Sequence, residues 1–326
     1  MAILNKFGLL FLALILFSCD DILEEDIADD TLKVTSPLEG AVIESNVVNF
    51  KWEPLEGASK YRVQVFNQVD SQILDTLIVN KTTFTYPIAQ GQYKWQARGE
   101  NSAYQSKYSG INKFSVIETL DLTNQQVILT SPHDGIYTNA TNINCSWQDL
   151  AAADTYDFEL NNITSGMQML QQTGISSPNF TINSTYLPDE AKYQWKVKAI
   201  NATSETLISS NRFFYIDRTI PLAPELIAPN NNASFSIPSG QTSVSVDFKL
   251  NASQMDSGII QSPITSRVIE FSNTNTFNTI TSTANINNGT VTLSLNSTGD
   301  YYWRVKAIDA ATNVGAYSVV FKITVN

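Results

Sequence analysis

Few side chains in this sequence could perform chemistry. It has one histidine, His133, and two cysteines, Cys19 and Cys145. A Ser-His-Asp or Cys-His nucleophile needs a histidine placed beside the attacking group, but His133 follows Pro132 in a Ser-Pro segment typical of a solvated turn. Structural zinc sites ordinarily need four Cys or His ligands. We therefore predict no catalytic residue, no cofactor and no enzyme activity.

Carboxylates and amides in turns offer the other routes to chemistry. The candidates are Glu53 with Glu56 and Asp189 with Glu190 as glycosidase-like pairs, and Asp309 with Asn313, or Asp256, as calcium ligands. The paired acids lie next to Pro or Gly, in turns where charged side chains are ordinarily solvated. The calcium candidates lack the dense ligand spacing of an EF-hand loop. The sequence therefore predicts neither a catalytic pair nor a metal site.

Composition and charge exclude one class of partner. The chain has 326 residues and a net charge of −11, whereas a nucleic-acid-binding protein needs a basic stripe. It contains 13 Tyr, 16 Phe and 5 Trp, and this richness in aromatic residues favours strands over helices. Cys145 stands where the first repeat, described next, has Phe50, so we predict a buried thiol without a disulfide partner.

One stretch recurs three times and organises the chain. Its copies begin at Tyr93, Tyr193 and Tyr301, each with a Trp two residues later and with apolar or small residues at the next alternate positions. A period of two is typical of a strand with one buried face. The Trp residues of successive copies are 100 and 108 residues apart, which indicates three copies of one sandwich domain.

The strands around this stretch follow the same order in each copy. A second strand ends at Trp52, Trp147 and Leu250, a third begins near Tyr61, and a last strand follows each Tyr-x-Trp strand. This order resembles that of fibronectin type III domains, and Leu187-Pro188 ahead of the second copy resembles the family's tyrosine corner. Asn288-Gly289 also predicts a hairpin turn.

The resemblance implies an all-β fold of three tandem immunoglobulin-like (fibronectin type III-like) β-sandwiches after a lipoprotein signal peptide. The predicted domains are residues 31–118, 124–217 and 222–326. The third copy has no Trp in its second strand, so a more generic immunoglobulin-like sandwich stays open there.

The first thirty residues predict a cellular address. Lys6 precedes an apolar run from Phe7 to Phe17, which is too short to span a bilayer and suits a signal-peptide core. Leu16-Phe17-Ser18-Cys19 resembles a bacterial lipobox, which implies a signal peptide over residues 1–18 and lipidation of Cys19. An ordinary signal peptide with an incidental cysteine is the alternative.

An acidic run follows that cysteine. Residues 20–30 contain seven acids and no base, and such like charges favour a solvated tether over residues 19–30. The run resembles the surface-export signal of Bacteroidetes-type surface lipoproteins. The resemblance implies a lipid-anchored protein of the outer membrane that faces the cell exterior. The alternative is a plain acidic linker.

Two functions are compatible with these features. The first is a non-catalytic, lipid-anchored cell-surface protein whose domains act as binding or spacer modules for envelope proteins or extracellular polymers. The second is a glycan-binding accessory lipoprotein of a polysaccharide-uptake system, similar to the starch-binding surface lipoproteins of the SusE type. The second would need exposed loop aromatics as ligand contacts, and the candidates are Tyr104, Tyr108, Tyr137 and Tyr317.

Overall fold

The computed structural model describes residues 24–207, 209, 211–251 and 258–326. The predicted signal peptide, Cys19 and Asp256 lie outside these residues. Regular structure in the described chain is β-strand apart from one 3₁₀ turn at Ser184–Tyr186. Within these ranges, no helix is long and apolar enough to cross a membrane.

Domain 1 is a sandwich of eight strands. They are β1 (Val34–Ser36), β2 (Ala41–Ile43), β3 (Val47–Trp52), β4 (Lys60–Asn67), β5 (Gln72–Val79), β6 (Thr83–Pro87), β7 (Gly91–Glu100) and β8 (Asn112–Val116). One sheet has the order β1-β3-β6 and the other β2-β8-β7-β4-β5. The short β2 pairs parallel to β8, whereas the other pairs are antiparallel.

Domain 2 repeats this arrangement. Its strands are β9 (Leu129–Ser131), β10 (Ile136–Thr138), β11 (Ile143–Trp147), β12 (Thr155–Asn162), β13 (Met167–Ile175), β14 (Asn179–Ile182), β15 (Ala191–Ile200) and β16 (Arg212–Ile216). The sheets have the orders β14-β11-β9 and β10-β16-β15-β12-β13.

Domain 3 has the same two sheets. Its strands are β17 (Leu226–Ala228), β18 (Ala233–Phe235), β19 (Val244–Leu250), β20 (Ile264–Ser272), β21 (Ser282–Asn285), β22 (Thr290–Leu295), β23 (Gly299–Asp309) and β24 (Phe321–Val325). The orders are β17-β19-β22 and β18-β24-β23-β20-β21. The chain therefore folds as three tandem fibronectin type III-like sandwiches, and the third keeps the shared strand order without its second-strand Trp.

Each sandwich encloses its own core, built from the inward side chains of both sheets. The indoles of Trp95, Trp195 and Trp303 are fully buried, and Leu250 fills the core position of the missing Trp in domain 3. The predicted buried strands are thus confirmed. Burial of a large aromatic side chain contributes several kcal/mol, so these rings hold the two layers together.

The predicted tyrosine corner is present in all three domains. The hydroxyls of Tyr93, Tyr193 and Tyr301 each donate to a backbone carbonyl four residues upstream, at 3.0, 3.1 and 2.8 Å. Only the second copy carries the Leu-Pro signal in its sequence. The hydrogen bond therefore depends on the position of the tyrosine at the start of the strand rather than on the residues before it.

The two-residue turn predicted at Asn288-Gly289 is present and is closed by an antiparallel bridge between Asn287 and Thr290, but the hairpin does not extend beyond it. Both residues have positive φ, 50° and 78°, as a tight turn of this type requires. However, β21 before the turn pairs with β20, and β22 after it pairs with β19. The dipeptide specifies the turn, but the buried faces of the flanking strands send them to different sheets.

The acidic segment before domain 1 is packed where the structure describes it. Ile27 is fully buried, while Glu25, Asp26, Asp29 and Asp30 remain exposed around it. The prediction of a solvated tether is therefore wrong for residues 24–30. Charge counting missed that one aliphatic side chain can be buried while its acidic neighbours stay in water.

The chain divides into two compact units between Ile117 and Glu118. The first unit contains domain 1. The second, Glu118–Asn326, contains domains 2 and 3 together.

Candidate functional site

The four aromatic residues predicted as ligand contacts are distributed over three domains. Tyr104 and Tyr108 lie between β7 and β8, Tyr137 lies on β10, and Tyr317 lies between β23 and β24. Their exposure is modest, with 37% of Tyr104 and 37% of Tyr317 accessible to water. The four tyrosines therefore do not form one surface. Their local environments differ in how much of each ring is free to contact a ligand.

Tyr317 covers an internal ion-pair cluster. The Arg304 guanidinium lies 3.5 Å from its ring centroid, and its hydroxyl donates to Glu270 at 2.9 Å. Lys306 completes the cluster, 3.0 Å from Glu270. The ring is thus occupied by cation–π and hydrogen-bond contacts within the domain, which leaves little of it for a ligand.

Tyr108 holds the equivalent place in domain 1. The hydroxyls of Ser109 and Ser318, the residues that follow the two tyrosines, accept from the backbone N–H of Ala97 and Val305 in the same way. The Arg98 guanidinium lies 4.8 Å from the Tyr108 ring centroid, and burial raises the pKa of its phenol. Tyr108, like Tyr317, stabilises a charge cluster.

Tyr137 belongs to a different arrangement, an aromatic platform on the outer face of domain 2. It lies opposite Tyr215 across the β10–β16 pair, and their rings stack with centroids 4.6 Å apart and planes 16° apart. The Lys192 ammonium lies 4.2 Å from the centroid of Phe213 and 5.6 Å from that of Tyr215. We call Tyr137, Phe213, Tyr215 and Lys192 the domain 2 platform.

The platform is not needed for the fold, because the same positions carry other residues in the sister domains. The cross-strand row is Val42, Ser115 and Gln92 in domain 1, Tyr137, Tyr215 and Lys192 in domain 2, and Ser234, Thr324 and Asp300 in domain 3. The side chains of these rows point away from the core. The three cores, in contrast, consist of the same kinds of aromatic and aliphatic residues. Aromatic residues on an outer face that structure does not require are candidates for a binding role.

The free charge of the platform is the Lys192 ammonium. No ion pair between described residues includes it, whereas the neighbouring Lys196 is paired with Glu159 at 2.9 Å. An ammonium beside aromatic rings, without an internal carboxylate, can donate hydrogen bonds to hydroxyl or carboxylate oxygens of a ligand. The platform thus offers both apolar ring surface and donors.

Domain 1 has a groove at the corresponding edge of its sheet. It has a volume of about 450 Å³, and polar side chains of Asn67, Gln68, Gln92 and Lys113 contribute to its lining. The turn after β4 closes one side, where Lys94 forms an ion pair with Asp70. The groove is large enough for a small ligand. Tyr93 and Phe114 also line it, but both belong to the core packing of domain 1, and Phe114 is buried, whereas the rings of the domain 2 platform lie on an outer face.

The other candidate groups serve the fold. Asp309 and Asn313 are buried and hydrogen-bonded to each other, 2.9 Å from Oδ2 to Nδ2, and no group of three metal-ligating side chains occurs in the described chain. Glu53 pairs with Lys33 at 2.5 Å in an exposed turn, and Glu190 accepts from the backbone N–H of Arg218. Cys145 is fully buried, and His133 is exposed beside the buried Pro132.

Sequence reasoning found Tyr137 but missed Phe213, Tyr215 and Lys192. A usable signal was present in the last strand, because Arg212-Phe213-Phe214-Tyr215-Ile216 places aromatics at outward as well as inward positions. At the position of Phe213, domains 1 and 3 carry Lys113 and Lys322. Comparing outward positions among the repeats would have exposed the difference.

Comparisons with known proteins give similarities of fold without a family. No family model and no curated protein matches the chain. Among solved structures, the FN1–FN3 domains of chicken CNTN1 are 14% identical over 90% of this chain and 97% of that one, with a TM-score of 0.45. Fibronectin(III)-like modules of Clostridium thermocellum CbhA are 15% identical over 62% of this chain and 94% of that one, with a TM-score of 0.40.

A two-domain fibronectin type III segment of chicken tenascin is also similar. It is 16% identical over 56% of this chain and 97% of that one, with a TM-score of 0.22. The fold assignment depends on the strand orders given above, and these similarities say nothing about a ligand.

Proposed function

We propose that this chain is a non-catalytic cell-surface protein, anchored by lipid at Cys19, whose tandem sandwiches present the domain 2 platform to an extracellular polymer. The observation that carries the binding role is the stacked pair Tyr137–Tyr215, which lies on an outer sheet face. Tandem fibronectin type III-like domains serve as binding or spacer modules. The platform is what distinguishes domain 2 from a spacer.

Support for the anchor comes from the first thirty residues. The lipobox-like Leu16-Phe17-Ser18-Cys19 and the acids that follow it resemble Bacteroidetes-type surface lipoproteins. Two or more acyl chains give stable membrane attachment, whereas one chain binds only marginally. Mass spectrometry of the N-terminal peptide from membrane fractions tests this part, and an unmodified Cys19 contradicts it.

Sugar rings are the ligand chemistry that suits the platform best. The C–H face of a pyranose is apolar and packs on aromatic rings, while its hydroxyls need donors and acceptors at the edge. Tyr137 and Tyr215 supply both, because a tyrosine combines an apolar ring with a polar tip. The unpaired ammonium of Lys192 adds a donor that suits hydroxylated or acidic sugars. These features favour an extracellular glycan, and with it the accessory role in polysaccharide uptake, over an envelope protein.

The experiment uses residues of domain 3 to remove the platform. Affinity electrophoresis of the protein from residue 20 onwards against a panel of neutral and acidic polysaccharides should show retardation by at least one. The double variant Tyr137→Ser, Tyr215→Thr carries the side chains of domain 3 at the same positions. It should bind at least tenfold more weakly, which corresponds to ~1.4 kcal/mol.

The matched control is Tyr104→Ser, which removes an exposed tyrosine outside the platform and should leave retardation unchanged. Equal loss in both variants contradicts the platform. If no polysaccharide retards the unmodified protein, the glycan role is excluded.

A further inference from the structure

Asn101 fastens the N-terminal segment to domain 1. Its side-chain amide donates to the backbone carbonyls of Glu25 at 2.8 Å and Gly57 at 3.0 Å. Its side-chain carbonyl accepts from the backbone N–H groups of Ala103 at 3.0 Å and Tyr104 at 2.7 Å. All the hydrogen-bonding capacity of the amide is therefore used. The two donated hydrogen bonds join Asn101 to two parts of the chain that are distant in sequence.

Further contacts fix the rest of the segment. Ile27 is fully buried, and the backbone N–H of Lys107 donates to the carbonyl of Asp30 at 2.9 Å. The Lys107 ammonium pairs with Asp29 at 2.9 Å, and the Ser102 hydroxyl donates to Glu24 at 2.6 Å. We call the loop between β7 and β8, with Gly57, the socket of domain 1.

Domain 2 has an equivalent socket filled by a different segment. Asn201 donates to the carbonyls of Leu120 at 2.8 Å and Ala152 at 2.9 Å, and accepts from the N–H groups of Thr203 and Ser204. Here the bound segment is the linker that follows Ile117. Leu122 is fully buried, two residues after the clasped carbonyl, as Ile27 is in domain 1.

The two sockets therefore hold their incoming segments in one way. In domain 2 the segment is the linker between two domains, so the socket fixes where the chain enters. In domain 1 the segment with that role is acidic and comes directly after the lipobox-like motif. The acids that contact the domain belong to the clasp, which gives them a structural role besides their charge.

We propose that the socket of domain 1 converts residues 24–30 from a free tether into a strut fixed to the domain, which keeps domain 1 close to the membrane surface. This inference depends on the lipid anchor of the proposed function. Cys19 and Glu25, whose carbonyl Asn101 holds, are six residues apart, so the covalent chain limits their separation to ~20 Å. A free tether over residues 19–30 would allow about twice that reach.

The test measures the distance of domain 1 from the bilayer. The acylated protein from Cys19 onwards, with a donor dye on Ser59→Cys, is reconstituted in phosphatidylethanolamine–phosphatidylglycerol vesicles that carry acceptor-labelled lipid. Ser59 is exposed, and its backbone N–H donates to the carbonyl of Glu100 at the end of β7, next to Asn101. Asn101→Asp keeps the acceptor for the loop but removes both donated hydrogen bonds. Energy transfer to the lipid should fall at least twofold in this variant.

The matched control is Asn201→Asp, which makes the same change in the socket of domain 2 and should leave energy transfer unchanged. Ile27→Asn removes the buried apolar side chain of the strut, leaves every residue of the socket unchanged and should behave like Asn101→Asp. Hydrogen exchange on the unacylated protein should show the amides of Asp30 and Lys107 exchanging at least tenfold faster in both Asn101→Asp and Ile27→Asn.

The outcomes separate the two proposals. Unchanged energy transfer in acylated Asn101→Asp and Ile27→Asn overturns the strut while the anchor stands. Unmodified Cys19 overturns the anchor and the membrane placement together. Unchanged hydrogen exchange in the unacylated variants overturns the clasp itself.

Discussion

Glu270 is the carboxylate on which the charge cluster of domain 3 converges. It accepts from Arg304 at 2.9 Å, Lys306 at 3.0 Å and Tyr317 at 2.9 Å, and only 6% of the residue is exposed. Burial alone would raise the pKa of Glu270, but the hydrogen bonds from these three groups outweigh it and hold the pKa below its usual range. The folded state therefore favours the ionised carboxylate.

This depressed pKa predicts a pH dependence with a definite sign. Because the folded-state pKa lies below the unfolded value of ~4.3, the contribution to stability is present above that value and is lost as the pH falls through the folded pKa. Glu270→Gln should lower the free energy of unfolding at pH 7 by roughly 1–3 kcal/mol. In urea unfolding, the difference from the unmodified protein should shrink as the pH is lowered from 5 to 3.

Asp300→Asn is the control within the same domain, because Asp300 pairs with Lys322 in a far more exposed setting. It should change stability at pH 7 much less than Glu270→Gln does. Curves for Glu270→Gln and the unmodified protein that stay parallel over this pH range would contradict the assignment.

Cys145 predicts a second residue-scale behaviour. Its side chain is fully buried in the core of domain 2, and burial raises the pKa of the thiol. A thiol reagent attacks through the thiolate, so Cys145 should not react while domain 2 is folded. In the protein from residue 20 onwards it is the sole cysteine, and its labelling rate should follow the unfolded fraction in denaturant. Ser59→Cys, at an exposed position, should label at once, and rapid native labelling of Cys145 would refute the prediction.

At the scale of elements, the sequence predicted the strands that have one buried face. In the Tyr-x-Trp strands and their neighbours, buried and exposed residues alternate over five or more positions, so the period of two could be recognised in the sequence. The strands β2, β10 and β18 have three residues each, too few to show a period, and they were missed. The polar strand β13 was missed because its exposed residues leave no apolar alternation to read.

The candidate site was less predictable than the fold for a related reason. Tyr137 lies on one of these unpredicted short strands, and its stacking partner Tyr215 is 78 residues away in sequence. Only the parallel pairing of β10 with β16 brings the two rings together. The clasped segment 24–30 was also misjudged, because its net charge concealed the single buried Ile27.

At the scale of the second compact unit, Glu118–Asn326, domains 2 and 3 share a buried joint. Asp217, directly after β16, is fully buried. Its carboxylate accepts from the N–H of Ser262 at 3.0 Å, and its backbone carbonyl accepts from the Asn313 amide at 3.0 Å. The Asn313 carbonyl in turn accepts from Asn139 of domain 2 at 3.0 Å. One asparagine thus connects the joint to both domains.

This joint predicts that domains 2 and 3 unfold as one cooperative unit. Asn313→Ala leaves the Asp217 carbonyl and Oδ2 of Asp309 without a donor, while Oδ1 of Asp309 keeps the backbone N–H of residue 313. Each buried acceptor that loses its donor costs roughly 1–3 kcal/mol. Gly315→Ala acts sterically, because the added Cβ would lie 2.6 Å from the backbone oxygen of Pro221. In scanning calorimetry the transition of this unit should split in two in both variants.

The control is Gly110→Ala, which has no atom within 4 Å of the added carbon and should leave the trace unchanged. Because these buried polar contacts link the two domains, losing one donor should suffice to uncouple the domains, and an unsplit transition in both variants would show that other contacts couple them.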